Sequence, residues 1–98
     1  MEKVTDRFLR YVQIDTQSDE EGTGTPTTEK QHELARLLVE ELTKMGAEEI
    51  TYDKEHCYVY ASIPATEGME GKPVMGFISH MDTSPAVSGA NVRPRIIT

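Results

Sequence analysis

A chain of 98 residues, 37% hydrophobic and 28% charged, is enough for one small soluble domain or a piece of a larger one, and it excludes more than one domain within these residues. Seventeen acidic residues against ten basic ones leave a formal charge of −7, with no basic surplus to neutralise phosphates; nucleic acid and anionic membrane are not expected partners. At this size folding buries only about 60–65% of the surface of the unfolded chain, so a closed catalytic cleft with several loops is hard to build from these residues alone.

The single cysteine, Cys57, has no partner for an internal disulfide and no Cys or His at metal-ligand spacing, which favours a reducing compartment. The first residues run straight into charged sequence without the apolar stretch of a secretory signal, and no apolar run approaches membrane-spanning length. A cytoplasmic setting is expected.

In chain order, Val4, Phe8, Leu9, Tyr11 and Val12 recur at helical spacing between Glu2 and about Gln13, with Arg7 and Arg10 on the other side, which predicts an amphipathic helix. Residues 15–26, rich in Asp, Thr, Gly and Ser and closed by Pro26, predict an exposed loop. A second helix follows, capped by Thr28 with Gln31 as reciprocal partner, ended by Gly46 in a left-handed cap, and burying Leu34, Leu37, Leu38, Leu42 and Met45. Ile50 and Tyr52, then Cys57 to Ile63, predict a hairpin with Asp53–His56 between its strands. Residues 64–73 connect, and the unbroken apolar run Val74–Ile78 predicts an inner strand covered on both faces. Two helices, a hairpin and an inner strand define an α/β class.

That inner strand leads into Ser79-His80-Met81-Asp82-Thr83-Ser84-Pro85, the most chemically pointed segment, at a strand's carboxyl end where open α/β sheets build their sites. His80 and Asp82 fall on one side of an extended chain. The imidazole is then free to offer one nitrogen to a metal while Asp82 holds it in place. The competing reading is structural: His80 bonds a backbone carbonyl and Asp82 caps a turn. Elsewhere the bland reading prevails. His32 and His56 are expected to be exposed, and Cys57 is expected to be a packed thiol rather than a nucleophile. Gly22-Thr23-Gly24 lacks the Lys and the preceding strand of a phosphate cradle and follows three acidic residues. Thr83 and Ser84 are expected to form a turn before Pro85.

Nearly the whole chain resembles the amino-terminal part of the peptidase T family, tripeptide aminopeptidases among the zinc exopeptidases related to aminoacylases and glutamate carboxypeptidases. The resemblance is carried by Arg7-Phe8-Leu9 with Tyr11-Val12, Asp15-Thr16-Gln17-Ser18, Thr27-Thr28-Glu29 with Gln31, Met45-Gly46 and, most specifically, the run Gly76 to Pro85. It implies that His80 is a zinc ligand and Asp82 the catalytic-site carboxylate that orients the metal-bound imidazole. It also implies a pair of zinc ions in the intact enzyme, tripeptide substrates and a homodimeric parent. The bridging carboxylate, the general-base glutamate, the other ligands and the lid or dimerisation domain are then expected after Thr98. On this basis residues 1–98 are expected to be the amino-terminal part of a truncated catalytic domain, inactive by itself and prone to self-association. Another exopeptidase or deacylase of the same superfamily, or a non-catalytic binding module, is the alternative.

Overall fold

The computed structural model describes residues 2–98. Its elements are α1 (Val4–Tyr11), α2 (Gln31–Met45), β1 (Glu48–Asp53) and β2 (Tyr58–Ser62), and the two strands form one antiparallel sheet, giving a small α/β unit.

Helix α1 is shorter than its apolar spacing predicts and buries none of its residues; Phe8 remains 62% exposed. It is held to α2 chiefly by polar groups. Arg10 pairs with Glu41 at 2.6 Å and with Glu2, and the Tyr11 hydroxyl donates to the other oxygen of Glu41 at 2.5 Å. Burial, reinforced by the Glu41 carboxylate, pushes the Tyr11 hydroxyl up to about 12.

Helix α2 packs on the hairpin, and Leu34 and Ala35, with Cys57 from the turn, are the buried apolar residues among those described. Leu34 matches the expected stripe, whereas Leu37, Leu38 and Leu42 are half-buried and Met45 is exposed. The stripe is rotated toward Gln31, Leu34, Ala35 and Glu41 because the hairpin and the Arg10–Tyr11 pair cover that side. Gly46 ends the helix at φ 84°, with its own N–H and that of Ala47 bonded back to Thr43 and Leu42, the paired pattern of a left-handed cap.

In the hairpin, Glu48 pairs with Ser62 and Thr51 with Tyr60, so β1 holds one more residue than β2 over this stretch, and Glu49 absorbs the bulge at φ 52°. Asp53 organises the turn. Its Oδ1 accepts from the N–H groups of Glu55 and His56 at 3.1 and 3.2 Å, and its Oδ2 lies 2.9 Å from His56 Nδ1.

The inner strand expected over Val74–Ile78 does not form in this unit: these residues join no ladder, and Val74, Phe77 and Ile78 are 99, 90 and 102% exposed. A strand exists only with a hydrogen-bonded neighbour. Among the described residues the sheet has two strands, both committed to each other. Sheet-like pairing reappears a few residues later, as a single parallel bridge between Gln17 and Thr83.

Candidate functional site

The segment after residue 78 is placed by that bridge. The Thr83 N–H donates to the carbonyl of Thr16 at 3.1 Å, and the Ser18 N–H donates to the carbonyl of Thr83 at 2.9 Å. Two side chains strengthen the seam: Ser18 Oγ donates to the same Thr83 carbonyl at 3.0 Å, and Gln17 Nε2 donates to the Pro85 carbonyl at 3.0 Å. Beyond it, Ser84 Oγ accepts from the Ala86 N–H at 3.1 Å, the turn expected of Thr83-Ser84-Pro85.

Residues 15–18 therefore do not lie in an open loop, contrary to expectation. Thr16 is 2% exposed, and the Asp15 carboxylate folds back onto the Gln17 N–H at 3.0 Å while meeting Lys30 at 3.2 Å. The Gln17 N–H, with a smaller contribution from Lys30, holds the Asp15 carboxyl below the usual carboxylate range. On the far side, the Thr28 hydroxyl donates to the Gln17 carbonyl at 2.8 Å and accepts from Gln31 Nε2 at 2.9 Å. Thr28 was expected to cap α2. The helix instead begins at Gln31 behind an uncapped Lys30, because a preceding turn carries the chain past Thr28 and frees its hydroxyl for Gln17.

Immediately before the seam, His80 and Asp82 come together. His80 Nδ1 lies 3.1 Å from Asp82 Oδ1, with the imidazole 84% and the carboxylate 38% exposed. Asp82 faces its neighbour's ring and takes no turn N–H, so the turn-capping alternative is not what the geometry displays. A neutral imidazole that donates through Nδ1 keeps its lone pair on Nε2, the form in which histidine ligates metals. Asp82 also borders a polar depression of about 380 Å³ lined by Ser18, Asp19, Thr27 and Gln31. A larger one, about 560 Å³, lies between α1 and α2, where its charged lining is already paired.

The donor set fits part of a metal centre. Among the described residues no three His, Cys, Asp or Glu side chains gather as a metal site, so His80, beside Asp82, could offer one imidazole nitrogen to a metal and the set is incomplete. The other histidines are engaged elsewhere. His56 sits in the hairpin turn against Asp53, exposed as expected. His32, expected to be exposed, is 12% exposed at its side chain and bonds the Tyr52 hydroxyl, because the first turn of α2 lies across β1. Cys57 is buried at φ 60°, and burial pushes its thiol up, as suits a packed residue. Gln17, Ser18 and Thr28 carry the support of the candidate site and were not singled out for it by composition or spacing. The available signal was their place in the segments that carry the family resemblance.

No family model matches the chain. Known proteins similar to it are peptidases, and the similarity covers almost all of its length. They carry the name Peptidase T. The protein of Parabacteroides distasonis is 54% identical over 95 residues, 97% of this chain and 23% of its own. That of Alkaliphilus oremlandii is 47% identical over 98 residues, covering 99% and 24%, and that of Geobacillus thermodenitrificans 48% over 96 residues, covering 98% and 23%. The resemblance to peptidase T thus runs along nearly the whole sequence, and the chain spans about a quarter of the length of the curated relatives it matches. Among the described residues no helix is long and apolar enough to cross a membrane.

Proposed function

We propose that these residues form the amino-terminal part of the catalytic domain of a cytoplasmic zinc aminopeptidase that releases the first residue of tripeptides. The observation that carries the reading is the His80–Asp82 pair, held Nδ1 to Oδ1 at 3.1 Å with Nε2 left for a ligand, in a chain about half identical to Peptidase T proteins. His80 would be one metal ligand and Asp82 the carboxylate that fixes its tautomer and raises its basicity. Zinc bound there, as a pair of ions completed by ligands from the rest of the protein, would supply Lewis acidity toward a peptide carbonyl and an acidified water.

This chain's own contribution is to orient. The carboxylate would keep the imidazole proton on Nδ1, and the seam at Thr83, the residue next to Asp82, would position that carboxylate. The general base, the remaining ligands and the lid or dimerisation domain are proposed to belong to the other three-quarters of the protein, which would act as a homodimer. The test is hydrolysis by the full-length protein. A tripeptide should be cleaved at its first bond, with loss of activity on chelation and recovery on adding zinc. Cleavage of N-acyl amino acids in preference to tripeptides would move the assignment to a deacylase, and zinc binding unaffected by His80→Ala would remove the site from this segment.

A further inference from the structure

Resting on that reading, we propose that Thr28 and Gln17 act as a positioning relay for the His80–Asp82 pair, coupling the start of α2 to the candidate metal ligand. Among the described residues Asp82 has no hydrogen-bond partner other than His80, so its placement depends on the backbone of its neighbour Thr83. Thr83 is held on both its N–H and its carbonyl by Thr16 and Ser18, the residues flanking Gln17. Any shift of Gln17 moves both partners at once.

Gln17 is fixed from two directions. Its side-chain amide holds the Pro85 carbonyl at 3.0 Å, and its own carbonyl accepts the Thr28 hydroxyl at 2.8 Å. Thr28 in turn accepts at 2.9 Å from Gln31, a buried residue that opens α2, so its single proton and an acceptor site are both engaged. The packing around this seam is tight. A Cβ on Gly89 would lie 2.9 Å from Asp15 Oδ1 and 3.1 Å from Thr83 Oγ1, leaving the segment little room to drift on that side. Sites that orient a reacting group need such support within about 0.5 Å, and elements built on helices supply it better than free loops.

The experiment uses the full-length enzyme carrying Thr28→Val, which keeps the shape and deletes the hydroxyl, Thr28→Ser, which restores it, and Gln17→Met, which deletes the donor to Pro85. Zinc affinity is measured by chelator competition on folded protein, amide exchange of Thr83 is measured in the metal-free protein, and kcat and KM are measured separately. Thr28→Val and Gln17→Met should each weaken zinc binding about tenfold, the scale typical of outer partners of metal ligands. Both should speed exchange at Thr83 and lower kcat with KM within about twofold, and Thr28→Ser should recover all three. Zinc affinity and kcat within about twofold of the parent in Thr28→Val, or a Thr28→Ser variant as impaired as Thr28→Val, would overturn the relay. If Thr28→Val does not fold, unchanged zinc affinity in Gln17→Met overturns it equally. His80→Ala separates the two levels: loss of zinc there with retention in the relay variants rejects the relay alone, whereas retention in His80→Ala rejects the underlying site.

Discussion

Replacing Asp82 by Asn in the full-length enzyme isolates charge from shape. The two side chains are nearly isosteric, and an Asn oxygen can still accept from His80 Nδ1 at the observed 3.1 Å, so the ring orientation survives and the negative charge does not. A hydrogen bond to a charged acceptor is worth about 1.5–3 kcal/mol against about 0.5–1.5 kcal/mol for a neutral one, so losing the charge weakens the hold on the neutral imidazole by about 1–2 kcal/mol. At 1.36 kcal/mol per tenfold, that range spans about five- to thirtyfold in rate. His80 is 84% exposed here, which favours the lower end, and the remaining domain would cover it. A fall in turnover of about 10- to 30-fold is therefore expected, within the usual cost of about 10- to 100-fold for losing an outer partner of a metal ligand. Stability should change by less than about 0.5 kcal/mol, since Asp82 makes no other hydrogen bond among the described residues. His80→Ala should be worse, because it removes the ligand itself. The assay is turnover per folded molecule with zinc content measured in parallel. Near-normal turnover and full zinc occupancy in both variants would refute the reasoning, and a large loss of stability with normal turnover would return the pair to a structural role.

The 98-residue chain by itself should neither hydrolyse tripeptides nor gain melting temperature from zinc, since a catalytic zinc takes about three protein ligands and the described residues offer His80 alone; chelator-sensitive hydrolysis surviving repurification would overturn this. Because Val74, Phe77 and Ile78 are almost wholly exposed, the same chain should self-associate, and sedimentation showing a strict monomer at high concentration would count against it. Gly46→Ala should cost about 1–2 kcal/mol in chemical denaturation: the space for a Cβ is open, so the penalty is that of a φ of 84° alone. The hairpin turn should be tightest between about pH 4 and 6.5, read from the amide shifts of Glu55 and His56. Asp53 raises His56 above its ordinary 6.5, so that contribution is complete below 6.5 and fades as pH rises through the higher folded value. His56 lowers Asp53 below its ordinary 3.8, so the second contribution is complete above 3.8 and fades as pH falls through the lower one.

What could be read from the sequence follows from how local each feature is. The left-handed cap at Gly46, the helix before it and the hairpin after it depend on neighbours within a few residues, and they appear as expected. Val74–Ile78 has the composition of a covered strand, but pairing is a property of two segments, and among the described residues none pairs with it. Thr28 shows a subtler failure. Its spacing to Gln31 correctly brings the two side chains together, yet the hydroxyl turns to Gln17, eleven residues earlier, instead of to the helix. For the candidate site, the juxtaposition of His80 and Asp82 is visible in the spacing of two. The support from Thr16, Gln17 and Ser18 lies too far along the chain for any periodicity to reveal.

The Gln17–Thr83 bridge also sets an order of events in folding. Helix α2 and the hairpin close short loops and can assemble first, whereas Ser18 and Thr83 stand 65 residues apart. With α2 and the hairpin already folded, closing the flexible remainder of that stretch costs on the order of 3 kcal/mol from the logarithmic term alone. The two main-chain and two side-chain hydrogen bonds of the seam return about 0.5–1.5 kcal/mol each, which is close to break-even. The bridge is therefore a late contact that gains its margin from surfaces already in place, above all the ordered start of α2. The segment bearing His80 and Asp82 should then order after the helix and hairpin, and native-state exchange should find its amides opening well below the free energy that unfolds those elements.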